Sequence, residues 1–486
     1  MKYYKFYFIL IIATLFSVTM IYGQAPEVEW ERLLGDTLAP DYGLGAFQTS
    51  DGGYIVGGNS TGWNGGYYDN VLFKLNADGD TLWSASNRTD SFQENASCFR
   101  LMPNGTYMFS GYSNQNPDAG TAYLYNAESD GSYGWTSLHG TDSIPETATC
   151  VAPAGDTAYV AMTRFWFNSQ YGWDMKLRYI WLDGWPAWIE HYYSEVADEP
   201  ACINSISTNG YIVTGMTQNP EYYDYELLLF KIGYFGGIEE WNRIGGSSDD
   251  YGKWVVETSD GGFLATGYTK ELDGNTKDVY IVKTDSACHP EWYRIYGFDY
   301  HDEGRYCAQT ADGGYIVGAT CKAFESFDFW LLRLDANGDT LWTKVIEREL
   351  DQSLYSVDIT DDGGYLICGN SGIIGGNYDM YVVKLGPETG VEDDDSKLPN
   401  QTSLMKNYPN PFNASTTINF AIDKAQHVSF KVYDLMGREI ETLINARLEA
   451  GHHSIDYNAS GLPSGIYFYK LETEWLAEAK KMILLK

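Results

Sequence analysis

An acidic side chain recurs at a fixed distance from a recurring tryptophan. Trp30, Trp83, Trp135, Trp188, Trp241, Trp292 and Trp342 follow one another every 50–53 residues. Eleven residues after five of them stand Asp41, Glu94, Glu146, Glu199 and Glu303, and nine after the other two stand Asp250 and Asp351. Carboxylates gathered in a ring would repel one another, and a hard cation such as Ca²⁺ would relieve that repulsion. A feature present in every repeat more often serves the repeat itself, for example by accepting backbone N–H groups in a loop, and that reading has the stronger claim. Aromatic side chains form a second set: Trp63, Tyr67 and Tyr68; Phe165, Trp166, Phe167, Tyr171 and Trp173; Tyr222, Tyr223 and Tyr225; Phe324 and Phe327. Such groups bury large area at small entropic cost and suit sugar rings or a protein partner. They serve equally to pack loops against one another, except that the excess at 165–173 breaks the repeat.

Signatures of catalysis and of cofactor binding are missing. The chain has no His-Glu-x-x-His, no Gly-x-Ser-x-Gly and no phosphate-binding glycine loop. Thr49-Ser50-Asp51-Gly52-Gly53 resembles the Asp-box of sialidase propellers, with Val56 where that motif has an aromatic. A sialidase also needs an arginine cluster, for which Arg164, Arg178, Arg294 and Arg305 are the candidates.

The elements that hold these residues follow from composition and period. Gly 51, Tyr 40 and Trp 15 in 486 residues indicate many short strands joined by glycine turns. A period near 50 with strand-like content predicts propeller blades, each too small to bury its own face. In the last period strand a falls at Tyr355–Thr360, b at Tyr365–Asn370 and c at Met380–Leu385. The a–b turns are Asp-Gly-Gly at 51–53, 260–262, 312–314 and 362–364, since a tight hairpin needs the positive φ that glycine accepts. The seventh period lacks a strand d, whereas the mature chain opens with an orphan one, Val28-Glu29-Trp30-Glu31-Arg32. Together they predict a seven-bladed β-propeller closed by its N-terminal strand, leaving no long exposed edge. Short repetitive a–b and c–d turns then occupy one face, and the variable b–c and d–a loops, with the acids and aromatics, the other.

Residues 1–23 have the positive start (Lys2, Lys5) and apolar run (Phe6 to Phe16) of a signal peptide, and no later stretch is long and apolar enough to span a bilayer. The net charge of −34 lies upstream of residue 403, because residues 403–486 hold nine basic and nine acidic side chains. That surface repels nucleic acid. The cysteine count is odd, seven, and Cys98, Cys150, Cys202 and Cys307 follow the repeat. Equivalent positions in successive blades are expected to lie too far apart for disulfides, leaving buried free thiols.

Residues 27–386 resemble the glycine-rich propeller repeats of secreted Bacteroidetes-type proteins, most clearly at Thr49 to Gly58, Thr258 to Gly267 and Thr310 to Gly318. After an acidic linker at 388–402 the composition changes to period-2 strand patterns punctuated by glycine, as in a small immunoglobulin-like β-sandwich. Tyr408-Pro409-Asn410-Pro411-Phe412, Tyr433 to Arg438 around Gly437, and Leu462 to Tyr467 with Gly465 resemble the type A sorting domain of type IX secretion. That resemblance implies a domain at 403–486 that engages the type IX machinery and sends residues 24–387 to the cell surface or beyond. The expected function is non-enzymatic binding or adhesion, toward glycan or protein, on the variable face. The alternative is a glycan-processing hydrolase or lyase on the same face.

Overall fold

The computed structural model describes residues 25–388 and 402–484, apart from 36–38, 63–66, 88–91, 116–119, 141–143, 157, 169–171, 195, 247, 271–275, 299, 323–325, 373–376, 409–414, 436, 464 and 474–475. The expected signal peptide and nearly all of the linker lie outside the described residues. The chain divides into two units, one ending at Thr389 and one beginning at Gly390. Every regular element among the described residues is a β-strand, so no helix there is long and apolar enough to cross a membrane.

The first unit is propeller-like, built from four-stranded antiparallel sheets, seven among the described residues. In the first, strands a to d are Asp41–Gln48, Tyr54–Ser60, Asp69–Leu75 and Thr81–Asn87. The other inner strands are Glu94–Leu101, Glu146–Ala154, Asp198–Ser205, Asp250–Glu257, Glu303–Gln309 and Asp351–Ile359. The last of these continues through Tyr365–Gly372 and Tyr378–Leu385, and its fourth strand is Val28–Leu34 from the N-terminal end, with Trp30 opposite Lys384. Each inner strand packs on the next, and Asp351–Ile359 packs on Asp41–Gln48.

Two repeated contacts explain the repeated residues. The tryptophan of an outer strand covers the c–d turn of the following sheet: Trp30 Nε1 donates to Ala77 O (3.1 Å), and Trp135 Nε1 to Leu182 O (2.5 Å). Gly79, Gly131, Gly184, Gly236 and Gly338 in those turns have φ of 79–88°, and a Cβ there would meet the facing tryptophan ring at 2.5–3.0 Å. Glycine is therefore required by backbone and by packing. Trp30 belongs to the last sheet and Gly79 to the first, so this contact also joins the two ends of the series.

The second contact is an ion pair under each Asp-Gly-Gly hairpin. Asp51, Asp260, Asp312 and Asp362 accept from the threonine two residues earlier, at 2.5–2.7 Å. Each also faces a buried cation from the end of strand c: Lys74, Lys283, Arg333 and Lys384, at 2.6–2.9 Å. Strands b and c are mostly buried, some along their whole length as in Tyr54–Ser60 and Asp278–Thr284, because neighbouring sheets cover both faces. Each such cation keeps its charge by pairing with the turn aspartate, and Lys283, Arg333 and Lys384 also pair with Glu291, Glu388 and Glu29.

The second unit packs a three-stranded sheet (Ser403–Tyr408, Ser415–Ile422, Gly451–Asn458) on a four-stranded one (Glu439–Leu448, Gln426–Asp434, Gly465–Glu472, Ala477–Leu484). Ile418, Phe420, Val428, Phe430, Tyr469 and Leu471 form its core, the layering of a β-sandwich. Gly437 takes φ 77° in the turn closed by Asp434, and Tyr467 is buried with its hydroxyl donating to Pro463 O (2.8 Å). Pro409 to Phe412 lie outside the described residues, and of Tyr408 only its place at a strand end is described.

Candidate functional site

All seven inner strands carry a β-bulge at the same register. The extra residues are Leu44, Ser97, Thr149, Ala201, Lys253, Arg305 and Tyr355. A bulge turns its extra side chain out of the ladder, and all seven line one central cavity of about 290 Å³. Its wall also includes Phe47, Phe99, Tyr251, Trp254, Arg164 and Glu199.

The wall is rich in cations although the chain carries −34. Arg164 pairs with Glu199 at 2.5 Å, and its guanidinium lies over the Trp173 ring, 5.0 Å from the centroid. Glu303 is shared by Arg305 (3.1 Å), Lys253 (3.4 Å) and Lys277 (3.7 Å). Burial alone would raise the Glu303 carboxyl, but those three cations outweigh it and hold it below the usual range. Burial depresses the Lys253 ammonium, Glu303 opposes that shift, and Arg305 and Lys277 reinforce it. The buried Nε atoms of Arg164 and Arg305 and Nε1 of Trp254 have no hydrogen-bond partner among the described residues.

The seven repeated acids do not converge. Counting back from the bulge shows two positions where the spacing from tryptophan suggested one. The position three residues before the bulge, buried, is held by Asp41, Glu94, Glu146, Asp198, Asp250 and Asp302, with Gln352 in the last sheet. Glu94 and Glu146 bond to side chains on strands, whereas Asp250 and Asp302 hold loop backbone. Asp250 accepts from Gly246 N (3.0 Å), and Asp302 from Phe298 N (2.5 Å) and Lys322 N (2.9 Å). Glu199 and Glu303 stand one residue further on, where strand alternation turns them toward the cavity end. Asp351 accepts from Phe327 N (3.0 Å). Among the described residues no group of three or more His, Cys, Asp or Glu is placed to share a metal ion.

Of the aromatic candidates, Trp166 and Trp173 face each other across the hairpin of the third sheet, edge to face at 5.4 Å. Trp166 is exposed, and Trp173 joins the pair to the cavity through Arg164. Tyr67, Tyr222 and Tyr223 are exposed on loops of the first and fourth sheets and do not reach the cavity wall. Trp63, Tyr171 and Phe324 lie outside the described residues. Of the four candidates for a sialidase-like arginine cluster, Arg164 and Arg305 reach the cavity. Arg178 is buried against Glu146, and Arg294 holds Asp339 (3.3 Å) on an outer strand.

Sequence reasoning missed Lys253 and Tyr355, and weighed Arg305 only as a member of an arginine cluster. Their signal is the spacing itself: 97, 149, 201, 253 and 305 are each 52 apart, a repeat position whose residue type changes every time.

The cysteine expectation needs correction in its reason. All seven cysteines are free and buried, yet Cys98 Sγ lies 3.4 Å from Cys150 Sγ, and Cys150 lies 4.0 Å from Cys202. Inner strands of neighbouring sheets converge on the cavity, so equivalent positions there come within reach of one another.

Residues 406–485 match the secretion system C-terminal sorting domain family. A domain of this kind makes the protein a type IX export substrate, secreted or held at the cell surface. No curated protein matches the chain. Among solved structures it is similar to PorZ, an essential bacterial surface component of the type IX secretion system of Porphyromonas gingivalis, at 11% identity over 91% of this chain and 70% of that one, TM-score 0.32. It is also similar to the β-propeller domain of the Trilobed protease from Pyrococcus furiosus, at 10% identity over 74% and 98%, TM-score 0.43. A third similar structure is Kuenenia stuttgartiensis hydrazine synthase, at 10% identity over 71% and 96%, TM-score 0.46. None of those proteins' activities transfers to this chain at such identities.

Proposed function

We propose that the mature chain is a seven-bladed β-propeller closed by its N-terminal strand, followed by a linker at 388–402 and a type A sorting domain at 403–486. Residues 1–23 act as its signal peptide. The seating of Trp30 on the first sheet's turn and the bond from Gly43 N to Asn370 Oδ1 (2.7 Å) support closure. In this reading the protein is a secreted or surface binding protein that takes a glycan or protein ligand on the variable-loop face, without catalysis.

One observation carries the binding role: a central cavity whose seven bulge residues differ from sheet to sheet on an otherwise repeated frame. A repeated position that varies serves something other than the repeat. The Trp166–Trp173 pair supplies an aromatic surface beside it. The glycan-processing alternative has less support, because the two cavity-end carboxylates, Glu199 and Glu303, are both salt-bridged and Glu303 is held ionised. A general acid needs a raised pKa. Glycan-array binding by the full exported chain, repeated with Trp166→Ala/Trp173→Ala, tests the reading. Specific binding weakened by the double variant is expected; turnover of a bound glycan would overturn it.

A further inference from the structure

We infer that the central cavity recognises a single acidic sugar, holding its oxyanion between Arg164, Lys253 and Arg305 and its ring against the aromatic wall. The inference rests on the binding role proposed above and names the ligand class.

Three observations converge on it. Among the described residues the charged side chains lining the cavity are Arg164, Lys253 and Arg305 against Glu199, with Glu303 and Lys277 paired behind them, so a positive excess sits inside a protein of net charge −34. The buried Nε atoms of Arg164 and Arg305 and the indole N–H of Trp254 still lack acceptors among the described residues. Those three atoms are closed to the cavity, but the side chains of Arg164, Lys253 and Arg305 stay 36%, 32% and 27% exposed, and an oxyanion satisfies such groups with short, directional, charge-assisted bonds. The wall also carries the aromatics Phe47, Phe99, Tyr251, Trp254 and Tyr355, and Arg305 lies 5.4 Å from the Tyr355 ring centroid. Aromatic faces beside fixed cations suit a ring bearing one charged group.

Size and charge narrow the class. A cavity of about 290 Å³ lies at the small end of ligand sites, which run from roughly 300 to 1,000 Å³. It suits one or two sugar rings, with the Trp166–Trp173 pair beyond Arg164 available to a neighbouring neutral residue. A polyanion would bring many charges against the acidic exterior, whereas a terminal acidic residue brings one to the cations. The oxyanion is either a uronic carboxylate or a sulfate ester, which share this chemistry.

Calorimetry on the full exported chain tests the inference with four probes: a glucuronate-ended oligosaccharide, its neutral glucose-ended counterpart, a 6-sulfated galactose disaccharide and a short oligonucleotide. At least about tenfold preference for one acidic sugar over the neutral one is expected, with no binding of the oligonucleotide. Which acidic probe binds tells carboxylate from sulfate. Lys253→Met should lose about tenfold for the acidic sugar, and Arg305→Lys, which keeps charge but loses the planar fork, several-fold. Thermal melting confirms that each variant folds, and Arg305→Lys decides if Lys253→Met does not. Equal binding of neutral and acidic sugars, lost on Trp166→Ala, would overturn this inference and leave the binding role standing. Binding of no probe, with none on a glycan array, would overturn both.

Discussion

Glu94 and Glu146 hold the same repeat position and are both buried, at 4% and 1% exposure, yet neutralising them should change stability in opposite directions. Glu146 faces Lys176 (3.1 Å) and Arg178 and accepts from Thr163 (2.8 Å). Burial would raise its carboxyl, but the two cations outweigh it and hold it below the usual range. Glu94 accepts from Asn87 Nδ2 (2.8 Å) and Tyr123 OH (3.1 Å). Burial lifts its carboxyl from 4.5 to about 7; the Tyr123 bond opposes this and the charge of Asp69 adds to it. A carboxyl raised in the folded state binds its proton more tightly there than in the unfolded chain. Its contribution is therefore lost as pH climbs through 4.5 toward 7, and above pH 7 the folded state carries a cost of about 3 kcal/mol. Glu94→Gln keeps an acceptor for Asn87 and removes that cost, so at pH 8 it should stabilise the first unit by about 1–3 kcal/mol, and at pH 4.5 by almost nothing. Glu146→Gln leaves Lys176 and Arg178 buried without a counter-ion and should destabilise by about 3–5 kcal/mol at pH 8. Urea denaturation of the full chain at both pH values, read by tryptophan fluorescence, measures the two. A pH-independent effect of Glu94→Gln, or the same sign for both variants at pH 8, would refute the reasoning.

Other consequences are open to simple measurements. Asp302→Ala strips acceptors from Phe298 N and Lys322 N, and should cost about 2 kcal/mol and raise proteolysis of the loops at those residues. A Cβ on Gly267 would lie 1.7 Å from Tyr251 O, so Gly267→Ala should lower the melting temperature, by about 1–3 kcal/mol of stability, and weaken ligand binding by displacing the strand that carries Lys253. Maleimide labelling should find almost no reactive thiol in the native protein and all seven after denaturation. A count of five would mean that the Cys98 and Cys150 sulfurs, 3.4 Å apart, close into a disulfide on export.

Much of the architecture was legible because the same physics recurs in each sheet. The tryptophan period marks the residue that covers the next sheet's turn, and Asp-Gly-Gly marks a hairpin whose φ only glycine takes freely. Pairing of Val28–Leu34 with Tyr378–Leu385 followed from counting strands. The acids were misread where the tryptophan served as ruler. The stretch from Trp188 to Asp198 is one residue shorter than that from Trp83 to Glu94, so the count landed on Glu199, which points to the other side of its strand. Strand periodicity punishes a one-residue slip by exchanging buried for exposed, and only the bulge gives the true register.

That exchange is also why the site was hidden. Spacing reveals positions that stay constant, and constant positions here build the frame: Trp, Gly and the strand-starting acids. A site for one ligand on a pseudo-symmetric ring must break the symmetry, so its residues are those that differ at a constant register. Leu44, Ser97, Thr149 and Ala201 occupy four of the bulges, and Lys253, Arg305 and Tyr355 the other three. The charged bulge residues thus sit on the fifth and sixth sheets and Arg164 on the third, while Phe47 and Phe99 bring aromatic rings from the first and second. A channel serving only to fill the axis would have no need of cations whose burial costs free energy. Their restriction to three of the seven sheets is the arrangement expected if the ligand is small and asymmetric, with its charged end held by those sheets and the rest directed toward the aromatic pair.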